Sequence, residues 1–321
     1  MKEKRANGLW RFLSVCLTVC LLGSVCAAET VTGDLSARFA TQTMEYEGVT
    51  YKLRSRLTTI LLAGVDKTTE EVSPAKRYRS GGQADFLMLL VIDDNRDTIT
   101  PIQLNRDSMT TLTILGITGK ESGKGFGQIA LQHAYGDGEK QSAELLLETV
   151  SNFLLDSPID HYVVMTMAGI VPFNDLIGGV KVTLEDDFSA QDPEMTQGAT
   201  LVLRGRQAEY FVRGRKSVSD GSNVSRLRRQ RTYMNAAKEI LMAKLRQSPN
   251  YITTLFEELD EYLVTDMNRG RLLNIANKAN QYDVLPIVTI EGKTVVGKNE
   301  FAEFYPNEDA LTRAVLDAFY Q

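Results

Sequence analysis

Arginines and aspartates are the residues of this chain whose types and spacing suit chemistry. Between Arg204 and Arg231 stand nine basic residues, at 204, 206, 213, 215, 216, 226, 228, 229 and 231, against two acids, Glu209 and Asp220. Eight of the nine are arginine, whose planar fork makes paired hydrogen bonds to phosphate oxygens where lysine offers a point charge. A basic run usually ends as a solvated face, but an arginine-biased island in a chain of formal net charge -5 favours an anionic ligand. Arg226, Arg229, Gln230 and Tyr233 are spaced i, i+3, i+4, i+7, so a helix through them places all four on one face. Upstream, Asp66 follows one apolar run and Asp85 precedes another. Arg106 and Asp107 stand at the exit of a third, where α/β proteins commonly put ligand contacts. Taken alone, Asp66 and Asp85 read as turn and cap residues at strand ends.

Several other chemistries lack their signatures. There is no G-x-x-x-x-G-K-[ST] and no G-x-S-x-G, and Gly123, Gly125 and Gly127 lack both the full dinucleotide fingerprint and a preceding strand. That glycine cluster reads as a flexible loop. His133 and His161 show no metal spacing and read as packed or hydrogen-bonded structural residues. Cys16, Cys20 and Cys26 all fall within the first 28 residues, so the remainder has no disulfide, thiol nucleophile or cysteine-based zinc site.

The elements that must position these residues follow from periodicity. Of the 321 residues, 43% are hydrophobic and 24% charged, ordinary globular usage. Lys2, Lys4, Arg5 and Arg11 lie before and within an apolar run over 9–28 that is uncharged after Arg11. This reads as an export segment, a signal peptide or N-terminal membrane anchor over 1–28, with everything after it outside the cytoplasm. Those residues hold four basic groups and one acid, so without them the net charge goes from -5 to -8. A polar spacer is expected over 29–56. Strands are expected at 57–63, 86–92 and 98–104, the last two as a hairpin. Helical character begins at Gln128, breaks around Gly136 to Gly138 and resumes over 141–155. A strand at 161–167, a helix at 168–177 and a strand at 180–185 follow. A long helix over 222–246 would turn Leu227, Met234, Leu241 and Leu245 to the core. Helices at 251–263 and 268–279, a strand-like 284–290 and a terminal helix near 307–320 complete an α/β pattern of helices on a central sheet.

Eight segments in order carry a family likeness: TTILLAGVD (58–66), ADFLMLLVID (84–93), LNRDS (104–108), HAYGDG (133–138), PIDHYVVM (158–165), LIGGVKV (176–182), AEYFVRGR (208–215) and RLRRQRTYM (226–234). Together they resemble the LytR-CpsA-Psr family. The resemblance implies a domain over 57–321 with a central mixed β-sheet flanked by helices on both faces. It implies a phosphotransferase on the extracellular face of the cell membrane that moves a phosphoglycan from a polyprenyl pyrophosphate carrier to peptidoglycan, using Mg²⁺ and an apolar groove for the lipid. Carried over residue by residue, Asp66 and Asp85 would be the metal acids. Arg106, Arg213, Arg215, Arg226 and Gln230 would bind the pyrophosphate, with Arg229 close by. Asp107 would serve either as general base or as salt-bridge partner to a neighbouring arginine. Nucleic acid is not an expected partner, because export puts the chain across the membrane from DNA. The pattern commonly has a lysine where Ala130 stands and an arginine where Gln83 stands. A catalytically weakened binding or scaffold protein for the same lipid-linked glycans is therefore the alternative.

Overall fold

Two apolar runs set the centre of the fold. The computed structural model describes residues 42–66, 81–214, 218, 223–298 and 300–321; the expected export segment and Arg215 lie outside them. Strands β3 (Leu57–Val65) and β4 (Ala84–Asp93) pair antiparallel with Leu61 opposite Leu89. The chain then reverses in a turn closed by Asp93 Oδ1, which accepts from the backbone N–H of Asn95 and Arg96, into β5 (Thr98–Leu104). On the other side of β3 lie β8 (His161–Thr166), parallel to it, and then β11 (Leu263–Thr265). Beyond β5 lie the short β12 (Asp283–Val284) and β13 (Val288–Thr289), both parallel to β5. The sheet is therefore mixed, in the order β11-β8-β3-β4-β5-β12, with β13 also on β5.

Continuous apolar strands require cover on both faces, and both are covered. Leu61, Ala63, Leu87, Leu89, Ile102 and Val164 pack against helices α2 (Lys140–Phe153) and α8 (Glu308–Phe319). From the opposite face, Ile60, Ile92 and Ile99 meet Met267 and Leu272 together with Ile252 and Phe256. These come from α6 (Tyr251–Glu258), α7 (Arg269–Gln281) and the residues just before α7. A third apolar cluster joins α3 (Ile170–Ile177), the β9–β10 hairpin (Val180–Thr183, Thr200–Leu203), α4 (Arg206–Arg213) and α5 (Asn223–Gln247). Residues 44–321 form one compact unit. The domain thus begins ahead of residue 57: within β1 (Thr43–Tyr46) and β2 (Val49–Lys52), Tyr46 and Tyr51 pack on the core. Lys52 and Gln321 exchange backbone hydrogen bonds.

The glycine cluster is not a loop. Gly123, Gly125 and Gly127 alternate along β7 (Glu121–Gln128), which pairs antiparallel with β6 (Met109–Leu115). A Cβ at Gly125 would lie 3.0 Å from Ile114 Cδ1, and one at Gly127 3.1 Å from Leu112 Cδ1. The bare face of β7 is where those two side chains lie. Glycine contributes nothing to a hydrophobic period, so this strand left no trace in the pattern. A second hairpin, β14 (Gly292–Val296) with β15 (Ala302–Pro306), also went unread.

Candidate functional site

The end of the sheet where β3 stops and β4 begins gathers most of the expected residues. Asp66 follows β3 directly and is tied to Gln83 in both directions. Its N–H donates to Gln83 O at 3.0 Å, and the Gln83 N–H donates to Asp66 Oδ1 at 2.5 Å. Asp85 is the second residue of β4. Arg106 and Asp107 occupy a turn just past β5, shaped by Asn105, whose carbonyl and side-chain oxygens accept from the backbone N–H of Ser108 and Asp107. Residues 129 and 130 stitch this turn to the sheet: Ala84 N–H donates to Ala130 O, and Ala130 N–H donates to Arg106 O.

Arg106 is 7% exposed and spends its guanidinium on three partners. Nη1 pairs with Asp85 Oδ1, Nη2 donates to Gln83 Oε1 at 2.5 Å, and Nε lies 3.2 Å from Asp107 Oδ1. Asp107 Oδ1 also accepts from Gln128 Nε2 at 3.2 Å. Of the two readings of Asp107, the salt bridge is the one present here. Arg226, 2% exposed on the first turn of α5, places Nη1 3.4 Å from Asp85 Oδ2. One carboxylate thus faces two buried guanidinium groups. Gln230, one helical turn further on, is 6% exposed, and its Oε1 finds no partner among the described residues.

Arg229 is committed elsewhere. Its Nε donates to Phe211 O at 3.1 Å, Nη1 to Asp186 Oδ2 at 2.7 Å, and Nη2 to Gly214 O, while the group lies over the Phe188 ring. It ties α5 to the end of α4 instead of standing with the anion contacts. Arg213, at that end of α4, pairs with Glu209 one turn back at 2.5 Å and keeps a side chain 38% exposed. It is not joined to Asp85. The expected inward face of α5 is only part of what the helix buries: Met234 and Leu241 pack on the apolar cluster, but the polar face goes deeper. Arg226, Arg229, Gln230 and Tyr233 are buried, whereas Leu227, Met234 and Leu241 are only half-buried and Leu245 alone of that set is buried. Ion pairs from Asp85 and Asp186 and the hydrogen bond to Asn174 offset much of the cost of burying Arg226, Arg229 and Tyr233. Burial pushes the Tyr233 phenol well up, and it donates to Asn174 Oδ1 at 3.1 Å.

The histidines are structural. His133 is fully buried and its Nδ1 meets Gly82 O at 3.1 Å, so the carbonyl fixes that nitrogen as donor. The HAYGDG segment it opens leads into α2, where Asp137 Oδ1 accepts from the N–H of Glu139 and Ser142. His161 Nδ1 bonds Asp266 Oδ2 at 2.7 Å. Lys124, the cation nearest in sequence to the expected lysine position, is held at β7 by Thr113, Glu121 and Glu148. Gln83, Gln128 and Asp186 bind these groups with no sequence signal beyond Gln83's departure from the family pattern. A surface groove of about 550 Å³ lined by Asp192, Arg204, Arg206 and Tyr210 borders the other end of α4 and does not include the cluster.

No group of three or more histidine, cysteine or acidic side chains able to hold a metal occurs among the described residues. Two carboxylates completed by phosphate oxygens and waters still suit Mg²⁺, which rarely takes an all-protein cage, so the donor set of Asp66 and Asp85 fits that ion.

Fold and site together define an α/β protein with a buried arginine and carboxylate cluster at the end of a mixed sheet. The LytR_cpsA_psr family model matches residues 29–314, and the chain belongs to the LytR_cpsA_psr family. It is 31% identical over 177 residues to the polyisoprenyl-teichoic acid–peptidoglycan teichoic acid transferase TagU of Halalkalibacterium halodurans, a match covering 55% of this chain and 51% of that protein. The chain spans about half the length of the curated relatives it matches. Among solved structures it is similar to protein gbs0355 from Streptococcus agalactiae, with TM-score 0.66, 20% identity and 82% and 88% of the two chains covered. It is also similar to B. subtilis TagV, with TM-score 0.59, 22% identity and 83% and 98% covered. These likenesses establish the fold.

Proposed function

We propose that this chain is a phosphotransferase at the extracellular face of the cell membrane, moving a phosphoglycan from a polyprenyl pyrophosphate carrier to a hydroxyl of peptidoglycan with Mg²⁺. The observation that carries the reading is the convergence of Arg106 and Arg226, both buried, on the Asp85 carboxylate, at the end of the sheet where Asp66 is bonded to Gln83. Fixed guanidinium groups in a water-poor site stabilise charge that develops on a transferring phosphoryl group. Asp66 and Asp85 would hold Mg²⁺, which supplies Lewis-acid neutralisation of the phosphate oxygens. The acceptor oxygen attacks the phosphorus that bears the glycan, and the bond from that phosphorus to the bridging oxygen breaks. The lipid phosphate leaves with the bridging oxygen and takes up the hydroxyl proton, since a phosphate monoester ionises a second time near neutral pH. Asp107, engaged by Arg106 and Gln128, holds the turn in place. The basic and apolar residues of 1–28 support an export segment and placement at the extracellular face of the membrane.

Ala130, where the family pattern has lysine, and Lys124, held at β7, favour a second reading: a protein that binds lipid-linked glycans without turnover. The full chain incubated with polyprenyl-pyrophosphate-linked glycan, peptidoglycan and Mg²⁺ separates the two. Lipid phosphate released by the wild type and lost in Arg106→Ala and Arg226→Ala supports the transferase; binding without release in the wild type supports the second reading.

A further inference from the structure

Asp85 occupies the place where an anion would bind. Its Oδ1 pairs with the guanidinium of Arg106 and its Oδ2 lies 3.4 Å from that of Arg226. Two oxygens of a phosphoryl group would bridge the same two arginines in the same way. While Asp85 holds them, Nη1 of each is taken. Charge points the same way, because the Asp85 carboxylate already lies against both guanidinium groups. Pyrophosphate arriving unaccompanied would bury uncompensated negative charge. Arg106 has no need to move if Asp85 withdraws, because Nη2 stays on Gln83 Oε1 and Nε stays beside Asp107. Gln83, a neutral acceptor where the family pattern has a cation, thereby steadies Arg106 without competing for Asp85.

We propose that Asp85 is an exchangeable counter-ion. It neutralises Arg106 and Arg226 until it turns to a divalent cation, and that turn releases both arginines to the phosphate oxygens. This rests on the pyrophosphate reading of the site. Cation and phosphate then bind with positive coupling, and the coupling is reciprocal by thermodynamic necessity. A carboxylate that were only a metal ligand would act on metal-free phosphate through repulsion alone, which added salt screens.

Isothermal titration of the full chain with inorganic pyrophosphate, with and without Mg²⁺ and corrected for the complex the two form in solution, tests it. The wild type is expected to bind on the order of tenfold more tightly with Mg²⁺, the worth of one charge-assisted hydrogen bond. Asp85→Asn is expected to bind about tenfold more tightly than the wild type in metal-free buffer and to lose the response to Mg²⁺. If the wild type binds pyrophosphate but Asp85→Asn binds it no better without metal, the exchange is wrong and the functional reading stands. A wild type that binds pyrophosphate under neither condition overturns the functional reading itself. Should thermal melting show Asp85→Asn unfolded, the wild type decides alone: Mg²⁺ affinity must rise with pyrophosphate by the factor seen in the converse titration, and absence of that coupling overturns the proposal.

Discussion

Arg229 and Asp186 form an ion pair in which both side chains are less than one-tenth exposed, Nη1 to Oδ2 at 2.7 Å, joining α5 to the segment after β9. The same guanidinium donates to Phe211 O and Gly214 O, so one side chain fixes the end of α4 against α5. Breaking a buried pair leaves the surviving charge uncompensated, which costs about 3–5 kcal/mol. Arg229→Met is therefore expected to lower stability by about 3 kcal/mol, since Arg228, 3.7 Å from Asp186, compensates part of the loss. The double variant Arg229→Met with Asp186→Leu should recover part of the deficit. Urea midpoints of the wild type, Arg229→Met, Asp186→Leu and the double variant test this, and additive losses would count against the pair.

Arg226 and Arg213 are expected to differ in function although both lie in the basic island. Arg226 is buried against Asp85, while Arg213 is bonded to Glu209 and more than a third exposed. Arg226→Ala should reduce transfer by about 10²–10³-fold, the usual effect of removing one preorganised donor. Arg213→Ala should cost less than about tenfold. Equal losses in a steady-state assay of lipid phosphate release would place Arg213 among the phosphate contacts.

The pair of His161 and Asp266 gives stability a dependence on pH. Burial alone would raise the Asp266 carboxyl, but the hydrogen bonds from His161 and from Tyr162 N–H, with the charge of His161, outweigh it and hold the group below its ordinary 3.8. A depressed acid contributes stability above the unfolded value and loses it as pH falls through the folded one. Asp266→Asn should therefore be roughly 1 kcal/mol less stable than the wild type at neutral pH. The two should converge as pH drops below the ordinary carboxylate range. Urea unfolding across that range measures the gap, and a gap independent of pH would refute the linkage.

Gly136 is where HAYGDG admits no side chain. A Cβ there would lie 2.7 Å from both the Cα and the backbone nitrogen of Ser142, whose hydroxyl accepts from Gly138 N–H at 2.7 Å. Backbone cannot yield as a flexible side chain would, so Gly136→Ala should cost about 2 kcal/mol. A thermal melt unchanged from the wild type would show that the segment relaxes freely.

The parts of this molecule legible in advance were those governed by local chain chemistry. Continuous β-branched and apolar runs marked β3 to β5, because a strand buried on both faces leaves an unbroken apolar record. Asn268 and Asn307, with side chains accepting from Arg271 and Ala310 N–H, stand where the expected helices begin. β7 escaped because alternate glycines carry no hydrophobic signal, and the β14–β15 hairpin, Gly292 to Pro306, because β14 is mostly exposed and β15 buries only Phe304 fully.

The sequence by itself determined the central strands, the family likeness and the inventory of acids and arginines. Only the tertiary structure decided how that inventory was divided. Arg226 and Arg229 share one helix face, yet one meets Asp85 and the other Asp186, carboxylates 101 residues apart that belong to separate elements. The same pairing turned the polar stripe of α5 inward and left Leu227 and Met234 half-buried. Periodicity records which residues share a face of a helix. Which face is buried depends on the partners other elements bring to it, because a charge enters the interior only where an opposite charge already waits.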